Sequence, residues 1–176
     1  MPAVWRIPLA PGECRSAANG SAIGAGVNLY FDGSETLVSW RQKVIAERQE
    51  VPGYALVVES GDFDGSYISV AIEVPNRLLR TVTRNSIVRL EMKFRSDRPI
   101  DGKFRLNLRR GPNIFAIWQP FDSNVGGQQI DFDLADSGTD PTKTEAMWLD
   151  LVVSVSRAPQ IELADVRISH RFRAEF

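Results

Sequence analysis

The strongest signal along the chain is strict alternation of apolar and polar residues. Between Ser86 and Arg95, Val88, Leu90, Met92 and Phe94 take every second position, and Arg89, Glu91, Lys93 and Arg95 fill the gaps. Side chains of an extended chain point alternately to opposite sides, so this spacing predicts a strand with one buried and one solvated face. After the turn Asp97-Arg98-Pro99-Ile100-Asp101-Gly102 the pattern resumes, with Phe104, Leu106 and Leu108 inward against Lys103, Arg105, Asn107 and Arg109 outward. Short β-branched and aromatic runs bounded by Gly, Pro, Asn and Asp predict further strands at Tyr54–Glu59, Tyr67–Val74, Ile114–Gln119, Gln129–Leu134, Ala146–Val155 and Gln160–Ser169. Strands of this length without a long helical pattern predict an all-β fold. The expected architecture is an antiparallel two-sheet sandwich, jelly-roll-like, with at most one or two short helices; a barrel is the alternative.

The connections carry their own predictions. Ser60-Gly61-Asp62-Phe63-Asp64-Gly65-Ser66 is rich in turn residues and reads as the link of a hairpin between the strands on either side. Pro75 ends the second of these, and Asn76–Val82 can form a short helical turn capped by Asn76, with Leu78, Leu79 and Val82 on the core edge. Val38–Gln49 reads as a strand followed by a solvated charged bend, with a short helix as the alternative. Three glycines between Gly20 and Gly26 predict loops there. Residues 1–176 are therefore expected to form a single domain, loop-rich over 1–53 and carrying its main strands over 54–176. Neither a Pro/Gly/Ser linker nor a repeat of 20–50 residues divides them.

Composition agrees with one globular domain: 176 residues with 43% hydrophobic content can bury a sizeable core. The 21 basic and 22 acidic side chains leave a net charge of −1, which argues against a generic nucleic-acid binder or a polybasic membrane-surface protein. The opening apolar stretch is interrupted by Arg6, Pro8 and Pro11, so no signal-peptide core or membrane span is expected, and a cytoplasmic or virion-associated location fits. A signal removed beforehand would leave the same pattern. Cys14 has no partner for an intramolecular disulfide, and a single cysteine with a single histidine cannot build a zinc site.

The neutral total hides segregation. Residues 77–110 hold 11 Lys/Arg against 3 Asp/Glu, a local +8, whereas residues 111–150 hold 1 against 7, a local −6. If the strands at 86–95 and 103–110 pair as a hairpin, Arg89, Lys93, Arg95, Lys103, Arg105 and Arg109 share an outer face and repel one another unless matched. Asp131, Asp133 and Asp150 on neighbouring strands can neutralise them internally. Otherwise the patch faces an anionic ligand or an acidic protein surface.

Candidate chemistry is sparse. Of the four tryptophans, Trp118 ends a strand at a loop edge and Trp148 alternates against Met147, Leu149 and Leu151 beside Asp150. Exposed flat rings flanked by hydrogen-bonding side chains suit the apolar faces of sugar rings, so Trp118 and Trp148 with Arg105, Asn107 and Arg109 are the candidate ligand-binding residues. Core packing is the other use of such rings, and it is the expected one for Trp5 and Trp40. Asp62 and Asp64 in Asp62-Phe63-Asp64-Gly65-Ser66 begin like a calcium loop, although the later acidic ligand is missing and a plain turn explains them equally. A structural calcium is the one cofactor considered. His170 lies among arginines on the last strand and reads as a surface residue, and Cys14 as a small structural one. Asp131 with Asp133, or Glu59 with Glu73, are the carboxylate pairs that glycoside hydrolysis would need. Solvated or salt-bridged carboxylates explain them too, and no catalytic residue is expected.

The stretches FDGSYISVAIEVP (63–75), IVRLEMKFRSDRPIDGKFRLNLRRGPN (87–113), MWLDLVVS (147–154) and the ending IELADVRISHRFRAEF resemble an uncharacterised alphaproteobacterial family of β-sandwich proteins. That resemblance implies a fold and supplies no catalytic residues. The pattern of Ile161-Glu162-Leu163-Ala164-Asp165-Val166-Arg167-Ile168 is also similar to the final strand of carbohydrate-binding modules of the galactose-binding-like and jelly-roll kinds. The resulting expectation is a non-catalytic module that binds a bacterial surface glycan. The alternative is a structural protein of a phage-like particle or a homo-oligomer docked through charged faces, and a third reading is a carboxylate-based glycan hydrolase.

Overall fold

The computed structural model describes residues 5–6, 12–34, 38–45, 53–154 and 160–174. Two antiparallel sheets face one another. The first, sheet A, is built from β1 (Trp5–Arg6), β2 (Gly12–Cys14), β5 (Val38–Ile45), β6 (Gly53–Ser60), β8 (Ser86–Ser96), β11 (Gly127–Asp133) and β13 (Gln160–Phe172). The second, sheet B, is built from β3 (Ser21–Gly24), β4 (Val27–Phe31), β7 (Tyr67–Glu73), β9 (Asp101–Arg110), β10 (Asn113–Pro120) and β12 (Ala146–Ser154). Sheet A runs β11-β8-β13-β6-β5-β2 with β1 also against β13, and sheet B runs β10-β9-β12-β7-β4-β3. This is the expected sandwich, with the chain passing repeatedly from one sheet to the other. Among the described residues the one α-helix, α1, is the short turn Asn76–Leu79.

The alternation read from the sequence becomes the core. Val88, Leu90, Met92 and Phe94 of β8 point inward, and Phe104, Leu106 and Leu108 of β9 meet them from the other sheet, all buried. Each inward row is continuous across neighbouring strands, as where Leu106 stands opposite Leu149, which stands opposite Ile72. Removing such rows from water supplies the main drive for association of the sheets.

Several expectations fail on tertiary grounds. Residues 54–59 and 67–74 do not form a hairpin: β6 lies in sheet A and β7 in sheet B, so the turn-rich link carries the chain across the sandwich. The same holds for β8 and β9, whose basic residues consequently lie on opposite outer faces. Alternation fixes which side of a strand is buried, but both arrangements bury that side equally well. The region before residue 54, expected to be loop-rich, contributes β1 to β5, and the glycines of 20–26 serve a hairpin in which Gly20 and Gly26 adopt positive φ. Val38–Ile45 is the strand expected there; the charged bend after it and the Trp5 side chain lie outside the described residues, while Trp40 packs half-buried against the core. Pro75, not Asn76, stands at the helix cap, without a side-chain cap bond. Leu78, Leu79 and Val82 are buried as expected.

Two devices position the sheets. Asp165 has φ +53 at a bulge where the register of β13 shifts, so the inward positions change from Ile161 and Leu163 to Val166 and Ile168. At the opposite end, the tetrapeptide Phe-Asp-Gly-Ser occurs at 31–34 and again at 63–66, and the copies clasp each other. The Asp32 carboxylate accepts the Ser66 amide and hydroxyl at 2.7 and 2.5 Å, and Asp64 accepts the Ser34 amide and hydroxyl at 2.6 and 2.7 Å. The Ser66 hydroxyl foremost holds Asp32 below the ordinary aspartate range, and the Ser34 amide does the same for Asp64. Phe31 and Phe63 meet edge to face at 6.0 Å beneath. A Cβ on Gly33 would lie 2.3 Å from the Phe63 ring, which is why the clasp needs glycine there.

Candidate functional site

The outer face of sheet B holds a cleft of about 700 Å³ crossed by β4, β7, β12, β9 and β10. Its floor is low because β7 places Ser69 and Ala71 at the outward positions that larger residues occupy elsewhere. Its rim is aromatic: Tyr30 and Tyr67 stand on one side, Trp118 and Trp148 on the other. Trp118 is 50% exposed, which is unusual for so large an apolar ring. The Ser69 hydroxyl is buried in the floor without a hydrogen-bond partner among the described residues.

One ionic network runs under this cleft. Asp150, on β12, is 2% exposed and faces Arg105 of β9 directly across the ladder. The guanidinium donates to Asp150 Oδ2 through Nε at 2.8 Å and Nη2 at 2.5 Å, and Asn107 Nδ2 donates to the same oxygen at 2.9 Å. Held this way, Arg105 lies with its guanidinium carbon 5.0 Å from the centre of the Trp118 ring. A cation at this distance is attracted to the ring face, so the buried carboxylate fixes the arginine and the arginine steadies the exposed tryptophan.

Of the residues expected to bind a ligand, Trp118, Trp148, Arg105 and Arg109 line this one cleft. Asn107 does not reach its surface: it is 2% exposed, and its amide serves Asp150. Arg109 has no ionic partner among the described residues and shares the cleft with Glu73. Sequence reading missed Tyr30 and Tyr67 and placed Glu73 only in a hydrolase pair with Glu59, because nothing local says that β4 and β7 lie beside β12. The DGS recurrence was the available signal that their ends are joined.

The other candidates lie elsewhere. Asp131 accepts both Nε and Nη2 of Arg89 at 2.7 Å on sheet A, with Arg171 also at 3.4 Å, and Arg173 pairs with Asp133. The Arg89 hydrogen bonds foremost hold the Asp131 carboxyl below its ordinary range. Internal neutralisation, one of the two readings of the charge blocks, thus accounts for Arg89 and Arg105, while Lys93 pairs with Asp165 at 3.1 Å. Glu59, against Arg41 at 3.0 Å on sheet A, and Glu73 on sheet B lie on opposite faces of the sandwich and cannot act together. Both oxygens of Asp64 are taken by Ser34 and Asp62 is exposed. Among the described residues no group of three or more His, Cys, Asp or Glu side chains gathers as metal ligands. His170, expected at the surface, is only 7% exposed: its β13 position faces inward, Nε2 meets Thr81 Oγ1 at 2.9 Å and Nδ1 has no partner among the described residues. Burial pushes its pKa below the usual histidine range.

The architecture is similar to that of a family 11 carbohydrate-binding module from Clostridium thermocellum, solved with a β-1,3-1,4-mixed-linked tetrasaccharide, at 9% identity and TM-score 0.50 over 94% of this chain and 99% of that one. It is also similar to the enzymatically active domain of tailspike protein 4 of bacteriophage CBA120, at 10% identity and TM-score 0.56, covering 90% of this chain and 21% of that one. The CBM22-1 xylan-binding domain of Paenibacillus barcinonensis Xyn10C matches at 13% identity and TM-score 0.49, over 84% and 87% of the two chains. At such identities the likeness is one of fold alone, and the family 11 module meets at that level the similarity to jelly-roll carbohydrate-binding modules expected from the sequence. No curated protein matches the chain. The expected membership of an uncharacterised β-sandwich family extends over all of residues 1–176, which match the family described as "Family of unknown function (DUF6478)", and the protein belongs to that family.

Proposed function

We propose that the protein is a non-catalytic glycan-binding module that takes a bacterial surface polysaccharide in the outer cleft of sheet B. The observation that carries this reading is the half-exposed Trp118 ring on the cleft rim, steadied by an arginine that is itself anchored on a buried carboxylate. A ring held in place before binding offers a flat apolar surface to a pyranose without paying for its own ordering. Trp148, Tyr30 and Tyr67 extend the aromatic rim, and Arg109 and Glu73 supply donors and acceptors for hydroxyl groups. The binding of sugars by neighbours of similar fold supports the same reading. Arginine partners on Asp131 and Asp133, and the separation of Glu59 from Glu73, speak against the hydrolase reading. The assembly reading drew on unmatched charge, and internal pairs account for Arg89, Lys93 and Arg105, three of the six basic residues it named.

The test is an array of bacterial surface polysaccharides and plant β-glucans probed with the wild-type chain and with Trp118→Ala. Binding by the wild type and a loss of roughly tenfold or more in the folded variant is the expected result, in the range of an exposed aromatic anchor. Binding of equal strength in Trp118→Ala overturns the assignment of this cleft.

A further inference from the structure

We infer that the cleft continues past Trp118 over the end of sheet B into a second, polar subsite, and that its occupant is a long, uncharged glycan. This rests on the glycan reading of the cleft. Three concavities share walls. The aromatic cleft and a depression of about 580 Å³ beside it have Trp118 and Val152 in common. That depression and a cleft of about 830 Å³ at the end of the sandwich have Asp101, Phe121 and Ser154 in common. The run along β12 from Ala146 to Ser154 is roughly 26 Å at about 3.3 Å per residue, room for several sugar rings before the groove turns over the edge.

The far cleft is a built feature. Phe121 fills the mouth between the sheets, edge-on to Phe94 at 4.6 Å and to Phe104 at 5.4 Å. Only glycine at 102 leaves it room, since a Cβ there would come within 2.8 Å of the Phe121 ring. Its two walls are the turn before β9 and the segment after β10, and they are tied together where the Ile100 amide donates to the Ser123 hydroxyl oxygen at 3.1 Å. Arg98 and Asn124 stand exposed on these walls. Asn124 donates its side-chain amide to Asp122 at 3.0 Å, which leaves its carbonyl oxygen to accept from a sugar hydroxyl.

Charge selects the ligand class. Arg105 is answered by Asp150 and Arg109 is accompanied by Glu73, the depression between the clefts sets Lys103 beside Asp101, and the far cleft adds Asp122 and Arg98, which also meets Asp97 at 3.3 Å. The groove therefore carries no net positive charge with which to repay the desolvation of a uronate.

The experiment is calorimetric titration of the full chain with oligosaccharides of increasing length cut from mixed-linked β-glucan, from β-1,4-xylan and from alginate. Affinity for at least one neutral series is expected to keep rising beyond the tetrasaccharide. In Arg98→Ala/Asn124→Ala that rise is expected to flatten, costing roughly three- to tenfold for the longest members and leaving the tetrasaccharide unchanged, as for one or two lost hydrogen bonds. A plateau at the tetrasaccharide in the wild type, an unaltered rise in the double variant, or tighter binding of alginate than of either neutral series overturns the inference while leaving the cleft reading intact. Absence of binding by every series also overturns the inference, whereas the cleft reading itself falls only if the polysaccharide array is blank or unaffected by Trp118→Ala.

Discussion

The two outer faces of the sandwich are made from the same alternating strands, yet they solve the problem of exposed polar residues differently. On sheet A the outward side chains pair with one another: Arg89 and Arg171 share Asp131, Lys43 reaches Glu162 at 2.6 Å and Arg41 reaches Glu59. These pairs are partly solvated and tile the face. On sheet B the ion pair seen among the described residues is sunk into the floor, the outward positions of β7 beside it are the small Ser69 and Ala71, and aromatic rings line the cleft around it. The first arrangement spends its charges on itself, and the concavity described there, beside β2 and β5, is small at about 140 Å³. The second leaves a trough whose polar groups point at whatever fills it. A basic run in the sequence feeds both faces, so charge counting alone cannot tell them apart.

The sharpest way to break this comparison is to remove the carboxylate at the centre of each face. Asp150→Ala leaves the Arg105 guanidinium and the buried Asn107 amide without their acceptor, and a loss of about 2–3 kcal/mol is expected after allowance for the partial exposure of Arg105. Urea denaturation should show it as a lower midpoint with an unchanged slope. Trp148→Ala comes next: weaker glycan binding by roughly five- to tenfold, read by titration, with sheet A untouched.

A third measurement concerns the layer between the faces. The folded state keeps His170 neutral, so its pKa lies below the 6.5 of an unfolded histidine. The unfolded chain then binds the proton first, and stability present above pH 6.5 is lost as the pH falls through that value toward the folded pKa. His170→Gln should flatten this part of a pH series of melting temperatures. If the wild-type profile is already flat between pH 5 and 7, the burial argument for His170 fails.

The smallest effect belongs to sheet A. Asp131→Ala should cost about 0.5–1 kcal/mol, diminish with added salt and leave glycan binding unchanged. Because Asp131 titrates below the 3.8 of an unfolded aspartate, its contribution is present above that pH and disappears as the pH falls below it. A loss as large as that of Asp150→Ala would erase the distinction between the two faces.

Much of the sandwich was legible because alternation is a local property. Val88 to Phe94 and Phe104 to Leu108 declare a buried side without reference to any partner, and the strands read from them have nearly the observed bounds. Half of the cleft was legible in the same way, since Trp118, Trp148, Arg105 and Arg109 sit at outward or terminal positions of strands already identified. Asn107 was placed on the correct face but given the wrong task, because nothing in the spacing shows that Asp150 would draw its amide away from solvent. His170 was misread because Arg167, Arg171 and Arg173 surround it in sequence, whereas the bulge at Asp165 resets the parity of β13 and turns the histidine inward.

The sequence by itself determined the strand content and the inward side of most strands, and it leaves Cys14 without a second cysteine among these 176 residues, since these depend on period-two spacing and on residue identity. Only the tertiary structure decided that β6 and β7, and likewise β8 and β9, separate into different sheets, and hence that the basic run is divided between two faces. The physical reason is that either partner buries the same apolar side of a strand at nearly the same gain, so local pattern leaves the choice open. The choice is closed by distant contacts such as the Asp-Gly-Ser clasp, the Phe121 wedge and the Asp150 network, whose members are far apart in the chain.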